Sequence, residues 1–275
     1  MAYACTVLAD SIAKPSDVRL TTLEVTFPRI VLAEFNTHRM LSRNSASSRA
    51  IPVKTQLGRV LDDPFVPVFW GKNKSGMQAK EELSGDELAQ AKEEWLSARD
   101  QAVDHARWLT DLGLHKQIAN RILEPFLWHT VIVTATEWDN FFALRCHEDA
   151  QPEIRVIAEM MRSALTKSKP RARLAGEWHL PLCKDEAGLA KEGFDPVKVS
   201  AGRCARVSYL THDGLRDPQA DVDLCDKLIT SGHMSPLEHQ AQIQENSQAE
   251  FLGNFRAPWK QYRKMIPNEA VFHVQ

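Results

Sequence analysis

The stretch PRIVLAEFNTHRMLSRNSASSRAIPVK, residues 28–54, organises the rest of the chain. From residue 35 to residue 61 the sequence has no carboxylate, while cations and small hydroxyls recur: Arg39, Arg43, Arg49, Lys54, Arg59, Ser42, Ser45, Ser47 and Ser48. Guanidinium forks and hydroxyl donors match phosphate oxygens, and arginine keeps its charge near neutral pH. The pattern predicts a site for a small, phosphorylated molecule.

A solvated serine- and arginine-rich loop is the simpler alternative for this stretch. Two flanking features argue against that alternative, because apolar residues 30–33 precede the polar group and residues 50–53 close it. Short apolar runs of this kind indicate buried backbone. Loops that are held between core-like pieces more often carry function.

The composition limits the classes of protein that the chain can represent. With 275 residues, 43% hydrophobic content and a net charge of -2, it can bury the core of one large or two modest domains. The near-neutral balance argues against a dedicated nucleic-acid binder, which would present a strongly basic face. No apolar run of about 18 residues and no export signal is visible, so we expect a cytoplasmic protein without a membrane span.

Two further sequence features concern metals and disulfides. The cysteines are odd in number and lack a C-x-x-C pair, which predicts neither a disulfide framework nor a zinc site: Cys5, Cys146, Cys183, Cys204 and Cys225. His233 and His239 are six residues apart with Pro236 between them, so they do not share a helical face. We therefore predict no metal site.

The periodicity of the chain predicts an α+β fold, with an antiparallel or mixed sheet packed with long helices. Residues 4–33 indicate two strands joined by a turn, and residues 204–209 a short strand. Helices are predicted over 84–112, 115–123 and 137–167, and from Asp217 to Gly232; Ser84 and Glu87 have capping-box spacing. Residues 60–80, rich in proline, glycine and aromatics, are either a lid or a packed loop.

We predict one catalytic domain, residues 1–275, with an internal connection at 168–203, where lysine, arginine, proline and glycine are frequent. Within the third helix, Arg145 precedes Asp149 by four residues. On spacing alone, that arrangement favours a weak surface ion pair.

Several separated pieces resemble the flavin-dependent thymidylate synthases. Residues 28–49 resemble the family signature, in which an Arg-His-Arg triplet is followed by spaced serines and an arginine. Further similar pieces are RILEP at 121–125, NFFALR at 140–145, AQPEIR at 150–155, ARVSY at 205–209 and HMSPLEH at 233–239. Several gapless matches along most of the chain make a chance resemblance improbable.

The order of these pieces differs from that of the family, where the last two precede the arginine signature. Residues 204–275 therefore form a permuted segment in our interpretation. A degenerate second copy fused at the end is the alternative. Permutation is tolerated where native termini lie close together at the surface.

The resemblance implies roles for individual residues. Ser47 and Arg49 would bind the phosphate and sugar of deoxyuridylate (dUMP), with Arg121 as a second cation. Arg145 would contact the pyrimidine and stabilise charge on its activated ring, and Glu34 stands where the family has a substrate-binding glutamine. The residues that would hold FAD, with folate near His233, are His38, Arg39, Asn140, His233, Ser235 and Glu238.

The implied reaction is the reductive methylation of dUMP to dTMP. Methylenetetrahydrofolate would be the carbon donor, NADPH the reductant and FAD the carrier, in a homotetramer with sites between subunits. Electrostatic polarisation of the uracil and hydride transfer would replace a cysteine nucleophile. A lone cysteine such as Cys183 is more often inert, although a cysteine-dependent transferase is a rival hypothesis.

The sequence also departs from the family pattern at positions that touch flavin and pyrimidine recognition: Glu34, Thr37, Ser45, Thr134 and Thr136. One hypothesis is that Gln261 and Arg263 supply the missing glutamine and arginine. A second is that the altered pocket accepts another pyrimidine or yields a hydroxymethyl product. A third is a nucleotide sensor that binds dUMP without catalysis.

Overall fold

The computed structural model describes residues 2–47, 49–76, 78–209, 217–245, 252–267 and 269. Ser48 belongs to residues 28–54, which we call the predicted anion-binding stretch, and it lies outside the described residues. So do parts of the predicted permuted segment, at 210–216, 246–251, 268 and 270–275.

A mixed sheet forms the centre of the protein. Its strands are β1 (Ala4–Ala13), β2 (Arg19–Pro28), β3 (Ser42–Ser45), β4 (Trp128–Ala135) and β5 (Arg171–Arg173). In the described part of the chain the order is β3-β4-β2-β1-β5, with β5 parallel to β1 and the other neighbours antiparallel. The predicted pair of strands with a turn is confirmed, and so is the α+β fold.

The helices before β4 form a layer beside the sheet. They are α1 (Leu32–Asn36), α2 (Val53–Asp62), α3 (Gly85–Asp111) and α4 (Lys116–Ala119), followed by a 3-10 helix, Asn120–Phe126. The prediction for α3 is confirmed almost to the residue, and Gly113 follows it with φ +87°, as a left-handed helix stop requires. Ser84 is the N-cap of α3, but its side chain makes no capping hydrogen bond, so the capping box does not form.

The helix predicted over 137–167 is in fact two helices, α5 (Asp139–Arg145) and α6 (Pro152–Lys167). Proline is tolerated in the first turn of a helix but not in its interior, so Pro152 begins α6. The apolar faces of both helices cover β2 and β4; this core includes Leu23, Val25, Phe27, Val131, Val133, Phe141, Ile154, Ile157 and Met161. The break places Arg145 at the last residue of α5.

The C-terminal third is also ordered around short elements. These are β6 (Trp178–His179), α7 (Glu186–Lys191), α8 (Pro196–Ala205), α9 (Pro218–Thr230), β7 (Ala241–Ile243) and β8 (Trp259–Gln261). Three 3-10 turns also lie in this third, Arg206–Tyr209, Ser235–Glu238 and Tyr262–Met265, and a further one, Arg29–Val31, precedes α1. β6, β7 and β8 pair antiparallel in a second small sheet.

The strand predicted at 204–209 is wrong, because α8 continues to Ala205 and runs into the 3-10 turn. The side chain of Asp195 caps α8 and Pro196 starts it, and these local signals outweigh the β-branched residues that follow. Gly202 packs against α9, where a Cβ would lie 2.2 Å from the carbonyl oxygen of Asp221. The residues predicted as a connection, 168–203, thus contribute β5, β6, α7 and most of α8, and the domain division stays a prediction.

Within the residues that the structure describes, no helix is both long enough and apolar enough to cross a membrane.

Candidate active site

Arg145, at the end of α5, meets the carboxyl end of α1 in a group that we call the edge cluster: Glu34, Thr37, His38, Arg43 and Arg145. Arg145 Nε donates a hydrogen bond to His38 Nε2 at 2.8 Å, and Arg145 Nη2 donates to Thr37 Oγ1 at 3.3 Å. The surface pair with Asp149 is therefore wrong, because Asp149 lies 3.6 Å from His147 instead. A predicted cofactor residue and the predicted catalytic arginine are brought together.

His38 is neutral in this cluster near pH 7. It is 9% exposed, and its ring packs edge-on against Phe141 with centroids 4.9 Å apart. Burial, and then the cations Arg145 and Arg43, lower the pKa of His38 below its ordinary value. Because Nε2 accepts from Arg145, the ring proton resides on Nδ1.

Glu34 contributes an unsatisfied acceptor to the edge cluster. Its Oε2 atom is buried and has no hydrogen-bond partner among the described residues. Its main-chain oxygen accepts from the Thr37 hydroxyl at 2.7 Å, which holds the turn closed. A buried carboxylate oxygen without a donor is costly, so this atom can receive the N–H group of a bound ligand.

The C-terminal segment lies directly against β3. Ser235 Oγ donates to Asn44 Oδ1 at 3.3 Å, and Gln261 Nε2 donates to Ser42 Oγ at 2.7 Å. Arg263 Nη1 donates to Glu238 Oε1 at 2.6 Å. The C-terminal segment thus packs against the predicted anion-binding stretch, and it carries four predicted cofactor residues: Ser235, Glu238, Gln261 and Arg263.

All four residues have protein partners, and Gln261 and Arg263 each contact more than one protein group. Gln261 is 2% exposed, its Nε2 also donates to the carbonyl of Glu238 at 3.0 Å, and its Oε1 accepts from Asn254 N at 3.2 Å. Arg263 is paired with two carboxylates, since its Nε also donates to Glu269 at 2.8 Å. This geometry makes Gln261 and Arg263 supports of the wall, and their role in completing a flavin site stays a prediction.

Two of the predicted phosphate residues, Ser47 and Arg49, follow β3 in the chain, and the third, Arg121, lies in the 3-10 helix Asn120–Phe126. Ser47 Oγ accepts from Arg49 N at 3.3 Å, and the exposed Arg49 side chain has no partner among the described residues. Arg121 donates to Glu124 at 2.8 Å. Within the described part of the chain, none of these three residues shares a hydrogen bond with the edge cluster.

The remaining predicted residues are exposed. Arg39 follows His38, and its carbonyl oxygen accepts from Asn254 Nδ2 at 3.3 Å. Asn140 lies in the first turn of α5. His233 Nδ1 lies 2.9 Å from Ser231 Oγ, at the carboxyl end of α9.

A cavity of about 350 Å³ lies beside α2 and the start of β4, apart from the edge cluster. Its lining residues are Lys54, Thr55, Gly58, Arg59, Asp62, Asp63, Leu127 and Trp128. Lys54 and Arg59 bring two cations to the cavity, but two carboxylates balance them. The lining of this cavity includes no residue of the edge cluster, so the candidate active site is the edge cluster and not this cavity.

The sequence gives no sign of a second group, which we call the interior relay: Ser11, Thr22, Thr134, His179 and His239. Thr22 Oγ1 lies 2.7 Å from Thr134 Oγ1 and 2.8 Å from His179 Nε2. His239 Nδ1 lies 2.8 Å from Thr134 Oγ1, and His179 Nδ1 lies 2.9 Å from Ser11 Oγ. Burial lowers the pKa of both histidines to about 3. The members are too far apart in sequence for any motif to reveal them.

The fold is α+β, and the candidate site lies at an edge of the protein where arginines are frequent. Residues 8–171 match the model of the Thy1 family, the thymidylate synthase complementing proteins. This match covers more than half of the chain, which therefore belongs to this family, the flavin-dependent thymidylate synthases. No curated protein matches the chain significantly.

Solved structures also resemble the chain. The UMP/dUMP methylase PolB from Streptomyces cacaoi, bound with 5-Br dUMP, gives a TM-score of 0.50 at 18% identity, covering 60% of this chain and 90% of that one. Its complex with 5-Br UMP gives a TM-score of 0.48 at 18% identity, covering 60% and 89%. At this identity the likeness with the first structure shows the fold.

Proposed function

We propose that the protein methylates dUMP to dTMP, with methylenetetrahydrofolate as carbon donor, NADPH as reductant and FAD as bound carrier. The observation that carries the proposal is the hydrogen bond from Arg145 to His38. This hydrogen bond joins residues 28–49, which resemble the family signature, to α5, which follows β4. Both Arg145 and His38 lie within the residues that match the family.

The edge cluster suits the pyrimidine ring. Arg145 Nη1 makes no hydrogen bond within the described part of the chain, while Nε and Nη2 are held by His38 and Thr37. A fixed cation of this kind stabilises negative charge that develops on an activated ring. Glu34 Oε2, buried and without a donor, would accept a ring N–H.

The family resemblance supports an assembly with sites shared between subunits. Arg49, exposed and without a partner among the described residues, is available to a nucleotide phosphate. In such an assembly one dUMP would use Arg145 of one copy and Ser47, Arg49 and Arg121 of another. We propose a homotetramer by this resemblance.

The residues around β3 fit a flavin in their chemistry. Arg39 and Asn140 have exposed polar side chains, and by the family resemblance Ser235 and Glu238 would lie on the other side of the flavin. His38 keeps its Nδ1–H as a donor, because Arg145 fixes its tautomer. Bound there, FAD would supply the hydride, and the protein would orient the pyrimidine and exclude water.

The test is mass spectrometry of the nucleotide that forms when the purified protein receives FAD, dUMP, methylenetetrahydrofolate and NADPH under low oxygen. We expect a gain of one methyl group. A hydroxymethyl gain would replace the proposal with a related hydroxymethylase, which the altered Glu34 and Ser45 would then explain. Binding of dUMP without any product and without flavin would favour a nucleotide sensor.

A further inference from the structure

We propose that Arg43 is a positioning residue for the proposed reaction: it fixes the turn that presents Thr37 and His38 to Arg145. This inference rests on the proposed function for its catalytic consequence. The structural part can be tested separately.

The basis is the hydrogen bonding at the carboxyl end of α1. The last carbonyl groups of a helix have no partner within the helix. Arg43 Nη1 lies within hydrogen-bond distance of the carbonyl oxygens of Phe35 at 3.3 Å, Asn36 at 3.0 Å and His38 at 3.0 Å. One guanidinium thus closes the helix end and the turn after it.

Arg43 also ties this turn to the sheet. It lies on β3, where it is paired with Val133 of β4. Burial lowers the pKa of Arg43, and the carboxylate of Glu238 on the opposite wall acts against that shift. The carboxylate of Glu238, in the C-terminal segment, therefore favours the charged form of Arg43.

The turn that Arg43 closes carries both acceptors of Arg145, His38 Nε2 and Thr37 Oγ1. If the turn relaxes, Arg145 loses two partners at once. A misplacement of about 1 Å of a group that acts on the reacting ring can cost about 100-fold in rate.

Arg99 provides a matched control. Its Nη1 donates to the carbonyl oxygens of Val60 at 3.2 Å and Leu61 at 3.5 Å, at the carboxyl end of α2. It makes the same kind of contact as Arg43, but the helix end that it closes carries no predicted site residue. Variants of Arg99 report the general effect of uncapping a helix.

The experiment compares Arg43→Gln and Arg43→Lys with Arg99→Gln and Arg99→Lys, in the full chain. Histidine ¹⁵N NMR, with His38 assigned from a His38→Gln spectrum, reports its tautomer and pKa without requiring activity. In Arg43→Gln we expect mixed tautomers of His38, a raised pKa and methylation about 10- to 100-fold slower. Arg43→Lys keeps the charge, so a tautomer change in that variant isolates geometry.

We expect both Arg99 variants to retain the wild-type His38 signals and rate. A wild-type His38 spectrum in both Arg43 variants would overturn the inference. If Arg43→Gln does not fold, Arg43→Lys decides. A changed His38 spectrum in a protein whose wild type methylates no nucleotide would keep the positioning role and reject the proposed function.

Discussion

The edge cluster and the interior relay both bury histidines and lower their pKa, yet they differ in what surrounds those rings. In the interior relay the partners of His179 and His239 are hydroxyls of Ser11, Thr22 and Thr134. In the edge cluster the partner of His38 is the cation of Arg145. Glu34 Oε2 and Arg145 Nη1 have no hydrogen-bond partner among the described residues. Polar atoms without a hydrogen-bond partner beside a fixed cation indicate a ligand-binding site more reliably than a buried histidine does.

The hydrogen bonds of the interior relay form one continuous chain. His239 Nδ1 pairs with Thr134 Oγ1, Thr134 Oγ1 with Thr22 Oγ1, Thr22 Oγ1 with His179 Nε2, and His179 Nδ1 with Ser11 Oγ. His239 Nε2 is left without a partner within the described residues. The relay fastens the C-terminal segment to β1, β2 and β4, which is a structural role.

The largest effect should come from Arg145→Gln, which removes the cation that contacts His38 in the edge cluster. We expect methylation to fall about 100- to 1,000-fold, because the developing ring charge loses its fixed donor. Initial rates of dTMP formation measure this change. Arg107→Gln, on the exposed face of α3, is the control and should retain the wild-type rate.

The second-largest effect should be a loss of stability in acid, because the histidines of the interior relay are then protonated on unfolding. Burial lowers the pKa of His179 and His239 to about 3 in the folded protein from the ordinary 6.5 of the unfolded chain, so the unfolded chain binds more protons between these values. Stability is therefore complete above about pH 6.5 and is lost as the pH falls. Urea unfolding should show about 2–3 kcal/mol less stability at pH 5.5 than at pH 7.5 for the two sites. Equal stability at both pH values would contradict this account.

Thr134→Val tests the relay at neutral pH. The substitution keeps the shape but removes the hydrogen-bond partner of His239 Nδ1, and we expect a loss of about 1–3 kcal/mol in the free energy of unfolding. Thr130→Val is matched, since Thr130 lies on the same strand and pairs with Thr26 at 2.8 Å in a less buried position. It should cost less than Thr134→Val.

Cys183→Ala should have the smallest effect on activity. Cys183 is buried, and burial raises the pKa of its thiol to about 11, so almost no thiolate is present near pH 7. We expect the wild-type rate of dTMP formation. A loss of activity in a variant with unchanged unfolding would revive the cysteine-dependent transferase.

Local patterns in the sequence predict the parts of the fold that depend on near neighbours. The alternating residues of β1 and β2 and the capped periodicity of α3 are of this kind, and both are confirmed. Pro152, a known helix starter, could also have revealed the break before α6. The strand expected at 204–209 is wrong because α8, which is capped by Asp195, continues to Ala205 and is followed by a 3-10 turn at Arg206–Tyr209.

Contacts between distant residues could not be predicted in this way. Arg145 and His38 are brought together only when α5 packs across β4 and α1, although the family resemblance had named both residues. The use of Arg43 on the end of α1 has no sequence signature, since any arginine of the stretch could have filled that place. Interior relay members come from four strands and one turn, so only the folded chain shows them.

The most direct measurement is a titration of the FAD-loaded protein with dUMP, followed through the histidine ¹H–¹³C signals of labelled protein. We predict that the His38 signals shift as dUMP binds, whereas those of His179 and His239 stay in place. Saturating dUMP, shown bound by calorimetry, with His38 unchanged would contradict the assignment of the edge cluster as the pyrimidine site.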